Sequence, residues 1–260
     1  MFSANERARA SAPANTPSMQ ARESYLAATH RPIHVLLFLL PLILIYEFAS
    51  LWADPEVTAT GGIAAERALT RVFEAFGAVG PHTPAIALVI VLVVWQILVG
   101  RGWKPRPVVL FGMGFESVMA AVPLVILGTL LSPGPTPEPA VVAASGSAGS
   151  ELIAKLHIAV GAGIYEELLF RLVGIAAAHF ILGDLIRMPR NLATSGAVLI
   201  SALAFAFYHD PFSRPGGGQL FVFYLLAGLY FGALFVGRGF GIAVATHAIY
   251  DVFALVIADN

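Results

Sequence analysis

Seven long apolar runs divide this chain, at positions 33–51, 84–100, 108–131, 152–182, 192–208, 220–236 and 241–258. Each approaches or exceeds the ~20 residues that a helix needs to cross a lipid hydrocarbon core. Backbone polar groups in lipid must be satisfied within the segment itself, so such runs predict helices rather than open strands. The expected fold class is all-α, a polytopic membrane helical bundle of about seven transmembrane helices. Two connections are long. Between 54 and 82, Ile63, Leu69, Val72, Phe73 and Phe76 recur near helical spacing, which predicts a short interfacial helix. The segment 132–150 is rich in Pro, Gly, Ala and Ser and reads as an irregular loop. No internal repeat is visible, which argues against a transporter built from inverted repeats.

The first 32 residues are polar and small, and lack the apolar core of a secretory signal. They read as a cytoplasmic disordered tail, with a short helix near 22–29. Residues 33–260 then form one transmembrane helical domain. Lysine and arginine set the orientation. With the N-terminus inside, ten of them (Arg7, Arg9, Arg22, Arg31, Arg101, Lys104, Arg106, Arg187, Arg190 and Arg238) fall inside, and Arg67, Arg71 and Arg214 fall outside. The expectation is an integral protein of the bacterial inner (plasma) membrane with a cytoplasmic N-terminus.

Composition agrees. The 260 residues are 58% hydrophobic and 12% charged, against about 25% charged in an ordinary soluble domain. A net charge of −1 gives no case for a nucleic-acid partner. There is no cysteine, which excludes disulfides, thiolate metal sites and a cysteine nucleophile.

Against this background the buried polar residues carry the information. Glu166, Glu167 and Arg171 lie inside an apolar run, where a central charge costs roughly 2.5–3.5 kcal/mol on insertion scales. Successive residues are 100° apart on a helix, so the two acids face different ways. Glu167 and Arg171 stand at i and i+4, in the favourable acid-first order. Glu166 is left free to face a polar cavity. His209 ends the fifth run, and His247 shares a helical face with Asp251, which can accept a ring N–H and fix the tautomer. Groups on three separate helices can offset one another's burial cost only by converging. The run 152–182 would be about 46 Å long at 1.5 Å per residue, so it tilts, kinks or protrudes, with Gly161, Gly163 and Gly174 as flexing points. Glu116 could line the cavity or touch substrate. His157 and His179 fall on the opposite face from Glu166. Glu47, His34 and His82 sit near helix ends and read as interfacial.

The ordered set Glu166-Glu167-x-x-x-Arg171, Phe205-x-x-x-His209 and His247-x-x-x-Asp251 resembles the CAAX protease and bacteriocin-processing family, which includes Ras-converting-enzyme-type intramembrane endopeptidases. The segment Ala227-Gly228-Leu229-Tyr230-Phe231-Gly232 adds to the likeness, which spans roughly 151–258. The resemblance implies an intramembrane endopeptidase with its site between helices. Glu166 would activate water with help from His209, and His247 and Asp251 would bind the oxyanion or position the water. Glu167, Arg171 and Phe205 would be supporting residues. The family more often has Asn where this sequence has Asp251. A carboxylate is a poor oxyanion donor, which favours a role for Asp251 in orienting His247. A metalloprotease version would use zinc, with Glu166, His209 and His247 as ligands; a metal-free glutamate mechanism fits equally. The substrate would be a peptide or membrane protein, prenylated in the eukaryotic branch, and lipid the other partner. Other intramembrane protease signatures fail: there is no His-Glu pair, Tyr250-Asp251 has no following Gly-x-Gly-Asp, and Ala193-Thr194-Ser195-Gly196 lacks the first glycine of Gly-x-Ser-Gly. The alternative is a non-catalytic membrane scaffold, immunity or transport partner with a structural polar cluster.

Overall fold

The computed structural model describes residues 24–52, 63–77, 80, 82–100, 102–131 and 148–257. The tail before Ser24 and most of the loop 132–150 lie outside the described residues. Within them the protein is helical: α1 (Tyr25–Thr29), α2 (Pro32–Trp52), α3 (Ala64–Ala75), α4 (Thr83–Val99), α5 (Pro107–Leu131), α6 (Ala148–Glu167), α7 (Arg190–Tyr208), α8 (Gly217–Arg238) and α9 (Phe240–Val252). All seven expected spans are helices. Six of them are at least 18 residues long and apolar enough to cross a membrane, and Thr83–Val99 is shorter. The molecule is an integral membrane protein. The amphipathic connection forms α3, as its spacing predicts.

Two expectations change. The short helix at 25–29 is packed rather than a loose end: Ala28 and Thr29 are buried, and the Thr29 hydroxyl donates to the Arg238 carbonyl at 3.2 Å. The long run is also not broken at Gly161 or Gly163, which lie in its α-helical part, whereas Gly174 falls within its first π-helical stretch. It continues as one helix from Gly149 to Leu185, and its irregularity is a pair of π-helical stretches at Leu168–Ile175 and Phe180–Leu185. Gly161 and Gly163 are points of close packing instead. A Cβ on Gly161 would collide with Ile63 Cδ1 and fall 2.5 Å from Tyr46 Cε2, and one on Gly163 would fall 2.8 Å from the Ala248 backbone nitrogen. Small residues let membrane helices approach closely where lipid supplies no hydrophobic drive.

The core is organised around α9. Every residue from Phe240 to Ala248 is buried, and α9 packs most extensively on α6 and then on α5. Large apolar side chains such as Phe48, Leu98, Val108, Phe111, Phe115 and Leu130 point outward and are exposed. That is the inside-out economy of a protein whose solvent is hydrocarbon. On the other side of the core, Gly228 and Gly232 of α8 meet Ala202 and Val198 of α7 at 2.9 Å and 2.7 Å from a hypothetical Cβ. This explains the two glycines in the α8 motif, while Ala227 and Phe231 from the same motif enter a core cluster with Phe170 and Phe205.

Candidate active site

Glu166 and Glu167 are the last α-helical residues before the first π-turn. Both are buried, as is Arg171. Glu167 Oε1 pairs with Arg171 Nη1 at 3.0 Å, the i, i+4 pair that the spacing predicts. The guanidinium is also enclosed by aromatic faces, with its Cζ 4.4 Å from the Phe205 ring centre and 5.1 Å from that of Phe231. A desolvated cation so placed gains from the ring quadrupoles. Phe205 is thus a support for Arg171 and, through a ring contact at 4.5 Å, for His209. The π-turn is held by Ser201 of α7, whose hydroxyl donates to the Phe170 carbonyl at 2.7 Å.

The same Glu167 oxygen accepts a hydrogen bond from His247 Nδ1 at 2.8 Å. This corrects the sequence-level assignment of that role to Asp251. The Asp251 Oδ2 atom lies 3.4 Å from the other ring nitrogen, Nε2. One turn of α9 brings Asp251 beside His247, but the α6–α9 crossing brings Glu167 closer. His247 is further fixed by stacking on Phe231, with ring centres 4.5 Å apart and planes 21° from parallel. Its Nε2 therefore faces Glu166, at 3.9 Å from Oε2.

His209 caps α7. Its Nδ1 donates to the Phe205 carbonyl at 2.8 Å, which leaves the neutral ring a lone pair on Nε2. That nitrogen is 3.6 Å from Glu166 Oε2. Proline at 211 stops the helix here, and Asp210 takes the left-handed conformation with φ 44°, a geometry Asp tolerates better than most residues. The loop does not dip deeply: Pro211 is buried, but 212–216 are exposed. It is the early end of α7 that places His209 at the cavity.

Glu166, His209, His247 and Asp251 line one cavity of about 380 Å³, with Phe205, Phe231, Tyr224 and Arg214 among its other walls. Glu166 Oε2 is buried with no hydrogen-bond partner. An acceptor left this way costs free energy unless something enters to bond it. Two contributors escaped the sequence reading. Tyr224 of α8 stacks on His209, with ring centres 4.0 Å apart and planes 17° from parallel. The Tyr208 hydroxyl, beside Glu166, accepts from the Ala65 backbone N–H at 2.8 Å and so ties the start of α3 to the site. Tyr224 lies outside the three motifs and Tyr208 at an unspecified position of one, and an aromatic in an apolar helix carries no signal of its own.

Residues 148–253 match the model of one protein family, described as type II CAAX prenyl endopeptidase Rce1-like. The match contains Glu166, Glu167, Arg171, Phe205, His209, His247 and Asp251. This part of the protein is similar to that family. No curated protein and no solved structure matches the sequence. The Rce1-like segment coincides with α6 to α9, the elements that build the cavity.

Other polar residues are placed elsewhere. Glu116 does not line the cavity, contrary to one expectation: it pairs with Arg238 through Nε and, at 2.6 Å, through Nη2, and accepts from the Tyr25 hydroxyl at 2.9 Å. His34 is not interfacial but fully buried, its Nδ1 donating to the Ala28 carbonyl and its Nε2 accepting from the Arg106 N–H. His157 stacks on Tyr46 at 4.4 Å, away from the cavity. Glu47 pairs with His82. Zinc would need three donors converging at about 2.0–2.2 Å from one point. Among the described residues no group of three or more His, Asp or Glu side chains is arranged to hold a metal ion. The side chains as they stand do not fit zinc.

Proposed function

We propose that this protein is an intramembrane endopeptidase in which Glu166 is the general base. The observation that carries the reading is that Glu166 lines the cavity with its unpartnered Oε2 facing the Nε2 atoms of both histidines, while Glu167 lies outside the lining with its Oε1 on Arg171 and His247. Water enters between Glu166 and His209. His209 accepts one of its hydrogens at Nε2 and fixes its lone pair towards the substrate, and Glu166 takes the other proton as oxygen adds to the peptide carbonyl. His247, protonated and held through Nδ1 by Glu167, donates from Nε2 to the developing oxyanion. Glu166 then passes its proton to the leaving amine as the C–N bond breaks. General acid–base steps of this kind contribute about 10²–10⁴-fold each, and oxyanion stabilisation about 10²–10³-fold.

The family description supports a substrate that is a membrane-associated protein or peptide, prenylated near the bond cut, and the basic residues favour a cytoplasmic N-terminus. Purified protein in detergent or liposomes should cleave such a substrate. Glu166→Ala and His209→Ala should each lose at least about 10²-fold in kcat with unchanged thermal melting. Folded variants that cleave as well as wild type would overturn the assignment. EDTA should leave the rate unchanged; loss of activity restored by zinc would replace this mechanism with a metal-dependent one, and folded wild type inert towards every such substrate would favour a non-catalytic role.

A further inference from the structure

The cavity walls are acidic at depth. Glu166 and Asp251 both contribute, and a substrate carboxylate would be repelled there. One arginine lies among the lining residues, Arg214. It follows the short 3₁₀ turn Pro211–Ser213 and precedes α8, so it stands at the rim. Its backbone N–H donates to the Pro211 carbonyl at 3.2 Å, and the Ser213 hydroxyl donates to the Asp210 carbonyl at 2.8 Å. The turn begins two residues after His209.

The same cavity is lined by Tyr224 and His209. The Tyr224 ring is the one stacked on His209. Arg214 therefore shares a cavity with the candidate catalytic histidine. Among the described residues no carboxylate pairs with it, although two carboxylates share its cavity. A guanidinium offers five donors, enough to hold an anion in bidentate fashion.

We propose that Arg214 anchors a substrate carboxylate at the cavity rim, so that the peptide lies with its anionic group at Arg214 and its scissile bond at Glu166. The inference deepens the endopeptidase reading and rests on it. Tyr224 is a positioning residue: it stacks from α8 on His209 and lines the same cavity. The required group is either the C-terminal carboxylate of the substrate or one of its acidic residues. The interaction is charge-assisted, and its partial exposure at the rim places its expected worth near a tenfold change in affinity.

Binding rather than turnover tests it, which separates its failure from failure of the catalytic assignment. Glu166→Gln protein in detergent would be titrated with fluorescently labelled apolar tripeptides: one with a free C-terminal carboxylate, the same peptide amidated, and an amidated version ending in glutamate. The free acid should bind about tenfold more tightly than the amide. Adding Arg214→Gln should abolish that difference, and Arg214→Lys should restore part of it. If the glutamate amide binds like the free acid, an acidic residue serves as the anchor's ligand as well as a terminus; if it binds like the simple amide, the terminus is required. Equal binding of acid and amide, binding of neither, or a preference that survives Arg214→Gln would each overturn the proposal. Arg214 is exposed, so its replacement leaves the core untouched.

Discussion

Glu166 and Glu167 are neighbours in sequence in different circumstances. Each keeps its Oε2 without a hydrogen bond, but Glu167 Oε1 holds both Arg171 and His247, whereas Glu166 lines the cavity. They should therefore fail differently when replaced. Glu167→Ala leaves Arg171 as an uncompensated buried cation, a loss of about 3–5 kcal/mol for breaking such a pair. It should appear as a lowered melting temperature in detergent, together with loss of activity. Glu166→Gln should melt like wild type and lose turnover alone. Equal destabilisation by both would mean that Glu166 is a structural acid too. The Glu167–Arg171 pair was legible from i, i+4 spacing, because both partners lie on one helix. The Glu167–His247 bond was not. Its partners are 80 residues apart, and nothing in the local pattern of α9 distinguishes an acid one turn away from an acid on another helix.

At the scale of the element, the π-turn after Glu167 is the feature that a 100°-per-residue reading misses. Insertion of one residue per turn changes the phase of everything beyond it, and such bulges recur at functional sites. Apolar composition is the same for an α- and a π-segment, so Leu168–Ile175 leaves no mark on the hydrophobic pattern. Its visible consequence is the Ser201 hydroxyl on the Phe170 carbonyl. Ser201→Ala should leave that buried carbonyl short of a partner, at a cost of about 1–3 kcal/mol. Thermal melting should fall accordingly, and the rate should fall with it because Arg171 and Glu167 ride on the same segment. A stable variant with full activity would show that the π-turn holds without its brace. Elsewhere, length and hydropathy were sufficient: all seven spans and α3 were readable, since lipid leaves helices few alternatives.

On the scale of the whole molecule, two polar clusters stand at different places in the bundle. The cavity cluster joins α6, α7 and α9. A second joins α1, α5 and α8 through Tyr25, Glu116 and Arg238. Sequence alone could not say which cluster Glu116 would enter, because its partners come from 91 positions before it and 122 after it. Both Glu116 and Arg238 are partly exposed, so Glu116→Gln should cost no more than about 1 kcal/mol. It should speed limited proteolysis ahead of Pro32 while leaving kcat unchanged. A drop in kcat would show that the two clusters are coupled.

The close approach of Gly163 to Ala248 has a consequence for traffic. There is no room on that seam for one added methyl group, still less for a peptide or a lipid tail. α6 and α9 behave as a single welded post, bolted again by Glu167 on His247. A substrate arriving sideways from the bilayer would have to pass that post rather than part it.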